Sequence, residues 1–216
     1  MKLDLQFFGG RGSDSGGWDA PSDDKPTPPI TDRKSLISER GAKEKEVDQV
    51  LTTLKNMTDE YGVRVEDVDV VTFGKGGGNI MGVCTSDGDI GISKNFFYEG
   101  RMNSAWDKCV ETGYHPSRGN KSGLEATAAH EYGHAIMRNV AGGFGKNYTD
   151  LCNKITQEAG KATGHNKFMD LASKVSGYAK ESSSECIAEA FADVYCNGNK
   201  ASKESQAVVN VAKKYL

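Results

Sequence analysis

Ala126-Thr127-Ala128-Ala129-His130-Glu131-Tyr132-Gly133-His134-Ala135-Ile136-Met137 is the stretch from which the fold is read. Its alanine-rich composition favours a helix, and a spacing of four puts the imidazoles of His130 and His134 on one helix face. Two histidines one turn apart, with a glutamate directly after the first, suit a site that holds one Zn2+ and activates water on it. Zinc lowers the pKa of a coordinated water to about 7 and polarises a scissile carbonyl. Glu131, one step further round the helix, is the expected general base: it takes the proton from water and passes it to the leaving amine. Two imidazoles and a carboxylate in so apolar a helix would be costly to bury without a cation or hydrogen bonds. The chemistry implied is zinc-dependent hydrolysis of a peptide bond.

A catalytic zinc site takes three protein ligands and keeps a fourth position open. No histidine occurs between Met137 and Lys146, so the longer motif with a third histidine close behind is absent and a carboxylate is expected instead. Ser182-Ser183-Ser184-Glu185-Cys186-Ile187-Ala188-Glu189-Ala190-Phe191-Ala192-Asp193 offers two candidates. Its serines supply an N-cap, and Ile187, Ala190, Phe191 and Val194 make an apolar stripe. Glu185 and Glu189 share a face one turn apart, which suits a ligand and a carboxylate that orients an imidazole from behind. Spacing leaves open which of them meets the metal.

The segment from Tyr178 to Phe191, coming after His130-Glu131-Tyr132-Gly133-His134, resembles the catalytic domain of the anthrax lethal factor family of gluzincins. The shared pattern is a tyrosine, a ligand glutamate seven residues on, and a Glu-Ala-Phe one helical turn beyond it, here Tyr178, Glu185 and Glu189-Ala190-Phe191. The resemblance implies a zinc endopeptidase with His130, His134 and Glu185 as ligands and Glu131 as base. It further implies Tyr178 as the phenol that steadies the oxyanion and Glu189 as the carboxylate behind a ligand. Only the chemistry is carried over, not the toxin's specificity.

Working outward, residues 32–61 carry Val47, Val50, Leu51, Leu54 and Met57 at helical spacing. Residues 67–73, 79–84 and 89–93 read as strands, separated by Lys75-Gly76-Gly77-Gly78 and Ser86-Asp87-Gly88-Asp89 as hairpin turns. Ile90-Gly91-Ile92-Ser93 is the expected edge strand, the element to which an extended substrate adds in zincins. Helices are expected over 101–112, 122–140, 147–162, 166–176, 182–196 and 202–215. The fold class is therefore α+β and zincin-like: a small, mainly antiparallel sheet with a helical bundle that carries the two site helices. One domain is expected over 32–216.

Residues 9–30 are rich in Gly, Pro, Ser and Asp and read as a linker, so 1–31 stands apart as leader and linker. Lys2-Leu3-Asp4-Leu5-Gln6-Phe7-Phe8-Gly9-Gly10 is similar to the short N-terminal extension on a ribosomal large-subunit protein and on capsid-region proteins of bacteriophages of Gram-positive bacteria. That resemblance implies cleavage after Phe8 and a phage or prophage protein, with phage head or virion proteins as partners beside a protein or peptide substrate. Asp4 and Gln6 interrupt any signal-peptide core, so the chain is expected in the cytoplasm at synthesis and on the virion later.

The 216 residues carry a net charge of -3, which gives no reason to expect nucleic acid or an anionic membrane as partner. No run approaches the roughly 18 apolar residues of a membrane span. Cys84, Cys109, Cys152, Cys186 and Cys196 lack paired spacing and are expected as free thiols, mostly in the core. His115 reads as a solvated loop residue, His165 as a capping or surface residue, and Asp193 as a surface residue. A phage virion-associated structural or interaction protein with a non-catalytic zincin fold is the alternative. An aligned Glu131 and Tyr178 would gain such a protein nothing.

Overall fold

The computed structural model describes residues 43–65, 68–73, 78–85, 88–143 and 145–216. The expected leader and linker over 1–31, the cleavage after Phe8, the first helix before Lys43 and the turn residues Lys75, Gly76, Gly77, Ser86 and Asp87 lie outside the described residues. Within them the chain runs α1 (Glu44–Tyr61), β1 (Val68–Val71), β2 (Gly82–Cys84), β3 (Ile90–Ser93), α2 (Glu99–Glu111), α3 (Gly123–Ala141), α4 (Lys146–Thr163), α5 (Phe168–Val175), α6 (Ser183–Asn197) and α7 (Lys203–Ala212). Short 3-10 turns occupy Tyr178–Lys180, Gly198–Lys200 and Lys213–Tyr215. The molecule is mixed α+β and mostly helical.

Local chemistry explains where the two site helices begin. Ser122 closes a capping box with Glu125: its hydroxyl accepts from Glu125 N at 3.2 Å, and the Glu125 carboxylate accepts from Ser122 N at 2.7 Å. Ser182 caps α6 by accepting from Glu185 N at 3.1 Å. α3 ends on Gly142, left-handed at φ 72°. From Gly123 to Arg138 every residue of α3 except Glu125 is buried, because α1, α2, α4, α6 and the sheet surround it.

α3 and α6 cross at Gly133. A Cβ there would lie 2.8 Å from Ala188 Cα and 3.2 Å from Phe191 Cβ, so the missing side chain sets how near the two helices come. In most helix interiors Gly→Ala stabilises by about 1 kcal/mol. Here the sign is expected to invert: Gly133→Ala loses about 1–3 kcal/mol through overpacking, read as a lowered Tm in thermal denaturation. A Tm raised by the substitution would mean the crossing has room to spare.

The three strands form one mixed sheet in the order β1-β3-β2. β1 pairs with β3 in parallel, Val68 opposite Ile90 and Val71 opposite Ser93, while β2 pairs with β3 antiparallel, Gly82 opposite Ile92. Two expectations are corrected. The sheet is mixed and not mainly antiparallel, because β1 pairs in parallel with β3 and β1 and β2 do not pair with each other. Ile90–Ser93 is the central strand, not an edge: all four of its residues are buried, and Gly91 passes between Val71 and Val83, where a Cβ would come within 3.0 Å of either valine. The second turn does join a hairpin, with Thr85 N donating to Asp89 O at 2.8 Å.

β2 is therefore an edge strand, and it runs against α3. A Cβ on Gly82 would lie 2.7 Å from Glu131 Oε1. The core continues through Leu54, Met57, Met81, Trp106, Tyr132, Ile136 and Phe191. All five cysteines are free, four of them buried and Cys196 half-buried. Among the described residues no helix is long and apolar enough to cross a membrane.

Candidate metal centre

α3 presents His130 and His134 one turn apart, their ring centroids 5.0 Å from each other. α6 brings Glu185 between them: its Oε2 lies 3.3 Å from His130 Nε2 and 3.2 Å from His134 Nε2. One ligand atom from each residue falls within 4.8 Å of the other two, and all three side chains are buried. Metal–nitrogen bonds of about 2.0–2.1 Å at a tetrahedral zinc separate neighbouring ligand atoms by about 3.3 Å. The two carboxylate–imidazole separations match that edge, so the cluster could hold a metal ion.

The polar inventory agrees with a cation. Glu185 Oε1 and Glu131 Oε1 are buried with no hydrogen-bond partner among the described residues. Such oxygens are costly unless something positive satisfies them. Burial pushes the Glu185 carboxyl up, but the charge of His134 and hydrogen bonds to both histidines outweigh it and hold it well below the usual carboxylate range. Burial disfavours the His130 imidazolium, yet hydrogen bonds to Glu185 and Glu189 outweigh that effect and raise its pKa. The two carboxylates thus favour positive charge on the imidazoles.

Glu131 responds in the opposite way. Burial pushes its carboxyl up, further aided by the charge of Glu185, and the neighbouring histidines offset this only in part. A carboxylate so placed takes up a proton readily. Burial also pushes the Tyr178 phenol far up, which keeps it a neutral donor. Its ring is near-parallel to that of His130, with centroids 6.0 Å apart. The 3-10 turn that carries it is tied to the loop after α2 by Gly177 N donating to Gly113 O at 2.8 Å and Tyr178 N to Tyr114 O at 2.9 Å.

Behind His130, His134 and Glu185 lies a second ring of contacts. His130 Nδ1 donates to Glu189 Oε1 at 2.9 Å, and His134 Nδ1 lies 3.3 Å from the Tyr148 hydroxyl. The structure thus brings His130, His134 and Glu185 together and sets Glu189 behind His130. Tyr148 was not singled out in the sequence; its one signal there is its place at the head of the α4 stripe that runs on through Cys152, Ile155 and Ala159.

Two expectations fail here, His115 through a partner far away in sequence and Asp193 through the turn that follows its own helix. His115 is not solvated but 3% exposed, with its ring stacked on Trp106 at 4.5 Å and its Nδ1 on Glu189. Asp193 is buried, accepting from Ser202 N at 3.0 Å and Asn197 Nδ2 at 2.8 Å. His165 lies at the end of α4 with Nε2 2.9 Å from Glu204 Oε1, away from the centre, and Cys186 is a core residue.

No family model, curated protein or solved structure matches the chain.

Metal binding has a direct thermodynamic signature. Zinc at about a hundred times its Kd is expected to stabilise the folded chain by about 2.7 kcal/mol. For a chain of this size that raises Tm by about 5–10 °C. Calorimetry with added zinc and with a chelator measures the difference, and coincident melts would mean that the cluster binds no ion.

Proposed function

We propose that the chain is a zinc-dependent endopeptidase of the gluzincin kind, with His130, His134 and Glu185 as the ligands. One observation carries the reading: next to a ligand histidine stands a buried carboxylate, Glu131, with an oxygen that no group among the described residues satisfies and the glycine of an edge strand against it. A site that only held metal for structure would close its fourth position with a protein ligand and would need no base beside it. The resemblance of His130-Glu131-Tyr132-Gly133-His134 and Tyr178 to Phe191 to the lethal factor family supports the same reading.

When bound, zinc supplies a Lewis acid that acidifies water and polarises the carbonyl to be attacked. Everything else falls to the chain's own side chains. Glu131 accepts the proton of the attacking water and returns it to the nitrogen of the leaving amine. Tyr178 donates its phenolic proton in a hydrogen bond to the oxygen on which negative charge develops. Glu189 and Tyr148 keep the ligand imidazoles oriented. An extended peptide can add to the β2 edge, and Gly82 lets its backbone approach Glu131 without a side chain between.

The leader's similarity to phage capsid-region proteins supports a phage or prophage enzyme that acts on a protein of the head or virion. Proteomic identification of new termini tests both parts. Wild-type chain and Glu131→Gln are compared in induced cells and on purified particles, and termini that only the wild type generates are the expected result. Identical termini in the two samples favour a virion protein without turnover.

A further inference from the structure

Beyond the three ligands, the buried polar groups continue as a chain. Both oxygens of Glu189 lie 3.0 Å from His115 Nδ1, and Oε1 is shared with His130 Nδ1 at 2.9 Å. All three side chains are buried. A carboxylate has no proton to give, so each imidazole must present Nδ1–H to it. With a metal bound, that leaves the His130 Nε2 lone pair to the ion, on the side of Glu185 and His134.

The outer end of this chain is itself held. The His115 ring stacks on Trp106 with an interplanar angle of 18°, and the Trp106 indole N–H donates at 3.0 Å to the carbonyl of Pro116, the next residue. The terminal torsion of a glutamate is broad, so Glu189 bonded to one imidazole alone could swing. Bonded to two, its plane is set.

We infer that His115 is a positioning residue for the metal: it clamps Glu189, and Glu189 in turn fixes the tautomer and ring angle of His130. The inference rests on the metal-binding half of the proposed function and not on turnover.

The test uses the full chain and two substitutions. His115→Phe keeps an aromatic ring on Trp106 without an N–H; His115→Asn keeps a donor near the place of Nδ1. Zinc Kd is measured by competition with a chromophoric chelator, and the cobalt-loaded protein gives the ligand field from its visible spectrum. His115→Phe is expected to weaken zinc by about tenfold or more and to shift the cobalt bands, with His115→Asn recovering most of the affinity. The effect should vanish in a Glu189→Gln background, which a merely structural role would not produce. An unchanged Kd and spectrum in His115→Phe, or an equal loss in the Glu189→Gln background, overturns the inference.

Should His115→Phe fail to fold, the wild type answers by itself. Nitrogen-15 spectra of the zinc-loaded chain must give Nδ1–H tautomers at both His115 and His130, and an Nε2–H tautomer at His115 overturns the clamp. Zinc bound with these differences but no cleavage supports the clamp and removes only the endopeptidase reading. A wild-type chain that takes up no zinc removes both.

Discussion

Glu131→Gln is expected to lower kcat for peptide hydrolysis by about 10^2–10^4-fold while the chain still takes up one zinc. The two effects separate because Glu131 is not among the three residues whose ligand atoms converge; His130, His134 and Glu185 are. Gln has the volume of Glu, so the close passage of Gly82 over Oε1 is not disturbed. What changes is proton affinity: an amide can neither take the proton of water nor return it to an amine. A neutral amide also escapes the burial penalty that pushes the Glu131 carboxyl up, so the metal-free Tm should be no lower than the wild type's. Kinetics, zinc stoichiometry and calorimetry on one preparation check all three. A wild-type kcat would remove Glu131 from the mechanism, and a loss of zinc would mean that it is a ligand.

The α3 end of the centre was legible because its determinants are local. His130, Glu131 and His134 lie on one helix, and that helix announces itself by Ser122 and Glu125 at its start and Gly142 at its end. The expected boundaries, 122–140 and 182–196, fall within a residue of Gly123–Ala141 and Ser183–Asn197. Strands of three or four residues hold too few alternations to declare their neighbours, and the order β1-β3-β2 depends on contacts across about twenty positions. One clue lay in plain view: Ile90-Gly91-Ile92 has no polar face, which suits a strand covered on both sides better than an edge. His115 offered no such clue. Its burial is decided by Trp106, nine residues back, and Glu189, 74 residues on.

Glu185 and Glu189 are the pair that spacing could not tell apart, and matched substitutions are expected to do so. Zinc sites in small proteins bind with roughly 10–16 kcal/mol, so one anionic ligand accounts for about 3–4 kcal/mol. Glu185→Gln should therefore weaken zinc by about 10^2–10^3-fold. Glu189→Gln removes a hydrogen-bonding carboxylate behind a ligand, an effect of about 10–100-fold. The order follows from where the oxygens lie. Glu185 Oε2 stands 3.2–3.3 Å from both Nε2 atoms, on the side where the imidazoles can share an ion. Both Glu189 oxygens are engaged by Nδ1 atoms, on the far side of His130. Since neither substitution changes volume, the two variants differ in charge position and not in packing, and chelator competition compares them directly. If Glu189→Gln proves the costlier, ligand and orienting residue must trade places, and His115 then lies beside a ligand carboxylate instead of one step behind it.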